Sequence, residues 1–301
     1  MTTISNEFIK YINAKEETEI MDEYCIRRMN RRELDIALNW AAEEGWNPGI
    51  YDGNCFYAAD AGGFLAGFLG DKMIASISAV KYGKSFSFIG FYIVHPEYRD
   101  QGFGVKIWKA GLADLAGRTA GLDGVVSQIA NYQKSGFVLA HNNIRYQGIS
   151  QKESSSCPGM KLLAEIPFKT VREYDRRYFP EKRQSFLQNW ISQPGTIALG
   201  VIQQDKLSGY GCIRPCRKGY KVGPLFAEKY EVAEYLLSTL QSAIPSGTEF
   251  FLDIPAPNTS ARILVEKYQM KPVFETARMF LGKYPELSLS KIYGITSFEL
   301  G

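Results

Sequence analysis

The chain has 301 residues, 45% of them hydrophobic and 22% charged, with a formal net charge of +3. That length predicts two domains of ordinary globular type, and so small a charge gives no footing for nucleic acid or an anionic membrane as partner. Five cysteines without a CxxC pair fit reduced thiols in a cytoplasmic protein. The first residues lack the basic and apolar regions of a secretory signal, and no apolar run approaches a membrane span. With His95 and His141 as the two histidines and no HExxH or zinc-ribbon spacing, no metal is expected, even at the nearest cysteine pair, Cys212 and Cys216.

In chain order, residues 1–24 are polar and charge-rich and read as an N-terminal extension. A first strand over Cys25–Met29 leads to Asn30-Arg31-Arg32-Glu33, a helix start close to a capping box. The helix runs through Leu34, Ala37, Leu38 and Ala41 until Gly45 and Trp46-Asn47-Pro48-Gly49 stop it. Phe64–Leu69, the turn Gly70-Asp71-Lys72 and Met73–Tyr82 predict a hairpin. The apolar run Phe86–Val94 is long enough for a core strand, and Pro96 prevents its continuation. Apolar residues at Val105, Ile107, Trp108, Leu112 and Leu115 then predict an amphipathic helix. Val125–Ile129 reads as a strand, Ala130–Lys134 as a short helix ending near Gly136, and Ile144-Arg145-Tyr146 as part of a closing strand. Ser154-Ser155-Ser156-Cys157-Pro158-Gly159 marks a linker, placed at 151–162.

Between the core strand and its helix stands Arg99-Asp100-Gln101-Gly102-Phe103-Gly104-Val105. Glycine at alternate positions lets backbone approach a ligand. Free N–H groups and the positive end of the helix dipole make an anion site there, and Arg99 adds a permanent charge. A pyrophosphate cradle follows. It is no Rossmann fingerprint, because position 107 is Ile, and no Walker loop, because Val105 follows Gly104. The stretch resembles motif A of the GNAT superfamily of acetyltransferases. The resemblance implies acetyl-CoA as cosubstrate, with Arg99, Gly102 and Gly104 matching the signature and the amides of Asp100, Gln101, Gly102, Phe103, Gly104 and Val105 around the pyrophosphate. It places Ile93 and Val94 at the strand end that pairs with the pantetheine arm. Downstream, Asn131-Tyr132-Gln133-Lys134-Ser135-Gly136-Phe137 resembles GNAT motif B. That likeness implies Tyr132 as the general acid for the coenzyme sulfur, or else as a packing residue against the coenzyme. Asn131 directly precedes Tyr132, a departure from the spacing of most members, and Lys134 is placed to reach a coenzyme phosphate or solvent.

After the linker the pattern returns in register. Asp205-Lys206 between Leu199–Ile202 and Leu207–Arg214 matches the first hairpin, Gln269-Met270 matches Gly136-Phe137, and Arg278 matches Arg145. Phe251–Pro255 followed by Asn258-Thr259-Ser260-Ala261 is again a strand entering a helix. The second copy lacks the chemistry. Its loop carries Glu228 and Glu231 where an anion should be welcomed, Gly-x-Gly is missing, and Val265 stands in the place of Tyr132. The expectation is an α/β (α+β) fold of two GNAT-like modules in tandem. Each would be a mixed, mostly antiparallel, splayed sheet flanked by helices: 25–150 catalytic and 163–301 degenerate, shaping the acceptor pocket or holding the architecture. Glu44–Gly49, Gly121–Val126 and the terminal Ile292–Gly301 resemble the tandem-GNAT, YitH-like group of bacterial acetyltransferases.

Acetyl transfer needs a neutral amine, a polarised thioester carbonyl and a protonated leaving thiolate. The implied reaction is transfer to a small-molecule or amino-acid-like amine; the alternatives are a non-catalytic acyl-CoA-binding regulatory module and a protein lysine or N-terminal acetyltransferase. Asp52, Glu44 and Asp123 each qualify as proton acceptor or amine-binding residue. Trp46, Asn47, Tyr51 and Gln128 are placed along the acceptor side. His95 has a pKa suited to base duty, but its turn often carries histidine in this superfamily without that duty. Hydrophobic edge strands allow pairing between chains, and no pattern specifies an oligomer.

Overall fold

The structure, a computed structural model, describes residues 24–153 and 157–301. The extension at 1–24 therefore lies outside the described residues, save Tyr24, as do three residues of the linker. The first module contains β1 (Tyr24–Arg28), α1 (Arg31–Glu43), α2 (Asp52–Ala59), β2 (Phe64–Leu69), β3 (Lys72–Tyr82), β4 (Phe86–Val94), α3 (Phe103–Asp114), β5 (Thr119–Val125), α4 (Ile129–Lys134) and β6 (Val138–Ile149). The second contains β7 (Met160–Leu162), α5 (Phe168–Asp175), α6 (Gln184–Ser192), β8 (Ile197–Gln203), β9 (Lys206–Pro215), β10 (Tyr220–Ala227), α7 (Tyr230–Ser242), β11 (Glu249–Pro255), α8 (Thr259–Lys267), β12 (Lys271–Leu281) and β13 (Ile292–Gly294).

Local chemistry sets several of these boundaries. Asn30 and Glu33 close the expected capping box on α1. Gly136 and Gln269 both take left-handed φ, +89° and +52°. Each allows the same terminal hydrogen bond, Phe137 N to Tyr132 O at 3.2 Å and Met270 N to Val265 O at 2.9 Å. The alignment of Tyr132 with Val265 thus has a backbone counterpart. Two expectations are corrected. Residues 160–162 of the expected linker form β7, paired with β8. Val126–Gln128 is a 3-10 turn rather than strand, because β5 ends at Val125. The short helix α2 was not anticipated, since Gly53 near its start and its eight-residue length hide any helical period.

All strands join one sheet in the order β1-β2-β3-β4-β5-β12-β6-β11-β10-β9-β8-β7, with β13 added against β10. The order is palindromic about the β12–β6 pair. Each module has given its last long strand to the other: β12 pairs β5, and β6 pairs β11. The parallel pairs are β4–β5 and β10–β11, and both are short. Beyond Ile89 and Leu122, β4 and β5 have no further paired residues, which leaves a V-shaped gap in the sheet. The matching gap between β10 and β11 is closed by β13, which pairs with Leu225 and Phe226, while Ile295 N donates to Asp253 O at 2.9 Å. The chain then crosses back, and the Glu299 carbonyl packs so close to Gly90 that a Cβ there would stand 2.1 Å from it.

Four arginine–carboxylate pairs, all with a buried carboxylate, hold these parts together: Arg145–Asp253, Arg183–Asp175, Arg214–Asp52 and Arg278–Asp123. Three of them cross between modules. Each is a two-pronged pair, the geometry that guanidinium best supplies.

Candidate active site

The open V of the first module is a cleft of about 510 Å³. One wall is the free edge of β4, from Gly90 to Val94, and the other is Asp123–Val125 with the following turn. At Phe91 the register against β3 slips by one residue, Phe91 takes φ +47°, and Ser76 Oγ donates to its carbonyl at 2.7 Å. A bulge of this kind turns the backbone beside the gap. Ile93 and Val94 line the cleft as expected. The Val94 carbonyl, however, already accepts from Arg99 Nε at 2.9 Å.

The loop before α3 has a left-handed backbone at two positions. Asp100 and Gly102 have left-handed φ of +61° and +84°, and Gly102 N-caps α3 without any side-chain hydrogen bond. The first turn of α3 also has no acidic residue, so its leading N–H groups remain free for an anion. Nothing lies within 4 Å of where a Gly102 Cβ would stand, whereas at Gly104 it would be 2.9 Å from Tyr92 Oη. Asp100, Gly102, Gly104 and Val105 line the cleft. Gln101 and Phe103 do not: Gln101 Nε2 donates to Glu97 O at 2.9 Å, and the Phe103 ring packs 4.8 Å from Tyr24. Their part in the cradle is reduced to backbone. Arg99 lines the cleft but its guanidinium is paired with Glu44, so its charge is shared with a carboxylate.

Tyr132 is 8% exposed and sits inside the cleft with its ring against Gly124, where a Cβ would come within 2.2 Å of ring carbon. Trp108 flanks it at 5.5 Å between ring centroids. Burial, with Tyr92 nearby, pushes its phenol up to about 12, so at neutral pH it carries the proton a thiolate needs. Gln128 and Asn131 line the same mouth, and Asn131 Nδ2 donates to Gln128 Oε1 at 2.7 Å. Lys134 stands outside it, with Nζ donating to Asn131 Oδ1 at 3.2 Å.

The expected acceptor residues divide. Trp46 and Glu44 line the cleft. Asn47 does not; its side chain exchanges hydrogen bonds with Lys218 O and N at 3.0 and 2.9 Å and fastens a loop of the second module. Asp52 is fully buried, accepts from Gly49 N at 2.8 Å and is gripped by Arg214, so it is structural rather than acceptor-binding. Asp123 borders the cleft, yet its carboxylate is clamped by Arg278 and Asn143. Burial pushes its carboxyl up, with Arg278 pulling the other way. His95 lies outside the cleft lining, near Glu97.

What sequence reasoning missed is the contribution of the far end of the chain. Phe274, Thr276, Phe298 and Glu299 also line the cleft. Glu299 is 2% exposed, and neither of its carboxylate oxygens has a hydrogen-bond partner among the described residues. A lone charged residue within the apolar ending Ile295–Leu300 was the available signal. Among the described residues no cluster of histidine, cysteine and acidic side chains suits a metal, and no helix is long and apolar enough to cross a membrane.

A family model described as the acetyltransferase (GNAT) family matches residues 31–137, and one described as an acetyltransferase (GNAT) domain matches 171–294. The chain is 30% identical over 269 residues to the holothin acyltransferase of Pseudoalteromonas sp. (strain SANK 73390), covering 89% of this chain and 92% of that protein. It is 25% identical over 232 residues to the uncharacterized N-acetyltransferase YitH of Bacillus subtilis (strain 168), covering 76% and 81%. Among solved structures, a putative acetyltransferase from Pyrococcus horikoshii shares the fold with a TM-score of 0.79 at 23% identity, over 92% of this chain and 96% of that one. A tandem GNAT protein from the clavulanic acid biosynthesis pathway does so with a TM-score of 0.61 at 11% identity, over 87% and 100%.

Proposed function

The chain belongs to the GNAT acyltransferase family as a tandem of two such modules, and we propose that it is an acetyl-CoA-dependent N-acetyltransferase acting on a small-molecule amine. The observation that carries this reading is the coincidence, in one cleft, of an uncapped helix N-terminus, a freed strand edge and a protonated phenol. The amides from Asp100 to Val105 fit a diphosphate, and the left-handed Asp100 and Gly102 turn the backbone toward it. The freed edge at Ile93 and Val94 offers main-chain pairing to an extended amide-bearing arm. A bound thioester would supply the activated acyl group. Tyr132 would then deliver its proton to the departing sulfur.

The acceptor side favours a small molecule over a protein segment. Trp46, Phe274 and Phe298 wall it from three separate parts of the chain, and an extended polypeptide needs an open groove. The relative named as a holothin acyltransferase supports transfer over mere binding of the coenzyme. The reaction is assigned to the cytoplasm, where the five unpaired thiols would stay reduced. Thiol release from acetyl-CoA with an amine panel tests the function. Turnover should fall roughly 100-fold or more in Tyr132→Phe with acetyl-CoA affinity kept; acetyl-CoA binding without turnover on a broad panel would refute catalysis.

A further inference from the structure

One end of the cleft contains a carboxylate without a hydrogen-bond partner. Glu299 is 2% exposed, lines the cleft, and has no hydrogen bond to either carboxylate oxygen among the described residues. A carboxylate buried in such a place is costly unless something pairs with it. Arg145, Arg214 and Lys221 feel its charge, but no hydrogen bond joins any of them to its carboxylate among the described residues. Arg145 grips Asp253 and donates to Trp46 O at 2.7 Å, and Arg214 grips Asp52. Lys221 donates to Trp46 O at 3.4 Å and has no carboxylate within ion-pair distance among the described residues. Its burial, with Arg145 beside it, lowers its affinity for a proton, while the charges of Asp253 and Glu299 act the other way. The Thr276 hydroxyl, also on the cleft, is a second buried group without a partner.

Around this pair stand aromatic rings. Phe298 and Phe274 lie 6.0 Å apart between centroids, and Trp46 lines the same region. The Arg145 guanidinium already stands over both phenylalanine rings, 5.7 Å from Phe274 and 4.7 Å from Phe298, so the aromatic wall is left to a flat apolar body.

The geometry points to Glu299 as the acceptor-binding and proton-accepting residue, selecting primary amines that enter as ammonium ions on an apolar, flat body. This assignment rests on the acyl-transfer reading above and names its substrate class. The balance is simple. The ammonium gives one proton to Glu299, and the freed lone pair forms the C–N bond to the thioester carbonyl carbon. The C–S bond breaks, its electron pair leaves on sulfur, and Tyr132 protonates that sulfur. The second proton lost from nitrogen replaces the one Tyr132 gave, and the proton on Glu299 passes to solvent.

The test uses the full chain and benzylamine as probe, titrated calorimetrically into protein saturated with coenzyme A. Wild type should bind it, Glu299→Gln should bind it at least tenfold more weakly, and Glu299→Asp should recover part of the loss. Acetyl-CoA affinity, measured in parallel, should be equal in all three and so certify the fold. Equal benzylamine affinity in Glu299→Gln, or no wild-type binding at millimolar probe, would overturn the assignment. Thiol release is read separately. Glu299-dependent benzylamine binding without turnover of any amine would strike the acyl-transfer reading and leave the ammonium site standing.

Discussion

Arg278 and Asp123 lock the two modules together, 2.7 Å from Nε to Oδ1 and 2.6 Å from Nη2 to Oδ2. They face each other directly in the β12–β5 register. The symmetry-related pair, Arg145 and Asp253, does the same across β6 and β11. Each module therefore carries a buried carboxylate whose counter-charge belongs to the other. Truncating one partner of such a pair leaves an uncompensated buried charge, at a cost of about 3–5 kcal/mol. Arg278→Ala should lower stability by that order in denaturant titrations. The strand exchange adds a second expectation: residues 25–150 expressed alone should fail to fold, and co-expression with 151–301 should restore a soluble pair.

His141 sits opposite Arg278 in the β12–β6 register. Burial first, and the Arg278 charge second, lower its pKa from 6.5 to about 4. The unfolded chain takes up this proton before the folded one does. The stability from neutral His141 is thus fully present above pH 6.5 and is lost as pH falls from there through about 4. Since the chain has two histidines, proton NMR can follow each. The resonance absent from His141→Gln should titrate near pH 4; a midpoint near 6.5 would contradict the buried setting.

Much of the backbone proposed to hold the coenzyme was legible because it is local. Phe86–Val94, the left-handed Gly102 and the helix behind it lie within one continuous stretch, where period and glycine placement speak for themselves. The capping box on α1 and the turn at Gly136 are local for the same reason. The other end of the cleft was not legible. Asp52 looks like an available carboxylate until Arg214, 162 residues later, is folded onto it. The exchange of β6 and β12 depends on pairings about a hundred residues or more apart, which no local pattern encodes. Glu299 acquires meaning only after the terminal segment has crossed the sheet to Gly90.

Gly124 and Tyr132 give a sharper test of the catalytic geometry. The phenol ring lies against the β5 backbone where a Cβ on Gly124 would stand 2.2 Å from Cε2. The ring cannot keep that place beside an alanine. Gly124→Ala should cost about 1–3 kcal/mol of stability through overpacking and reduce turnover to a degree comparable with Tyr132→Phe. Coenzyme A affinity should change little, because the cradle on α3 is untouched. A variant with full turnover would show that Tyr132 need not occupy this position.

The tandem repeat raises the question of how many coenzymes one chain binds, and β13 answers it physically. In the first module the gap beyond Ile89 is free for an extended ligand. In the second, Ile292 and Gly294 pair with Phe226 and Leu225, so the chain's own strand occupies the equivalent edge. The helix behind it, α7, begins with Glu231 in its first turn, and Glu228 just before it is tied to Arg177 and Lys291. Both features disfavour a diphosphate there. Calorimetry should therefore find a single coenzyme A per chain. Gly102→Ala should weaken that binding at least tenfold, since a Cβ at φ +84° is strained and projects into the open space reserved for the anion. Two equivalent binding events, or an unaffected Gly102→Ala, would mean that the gap sealed by β13 opens in solution or that the cradle lies elsewhere.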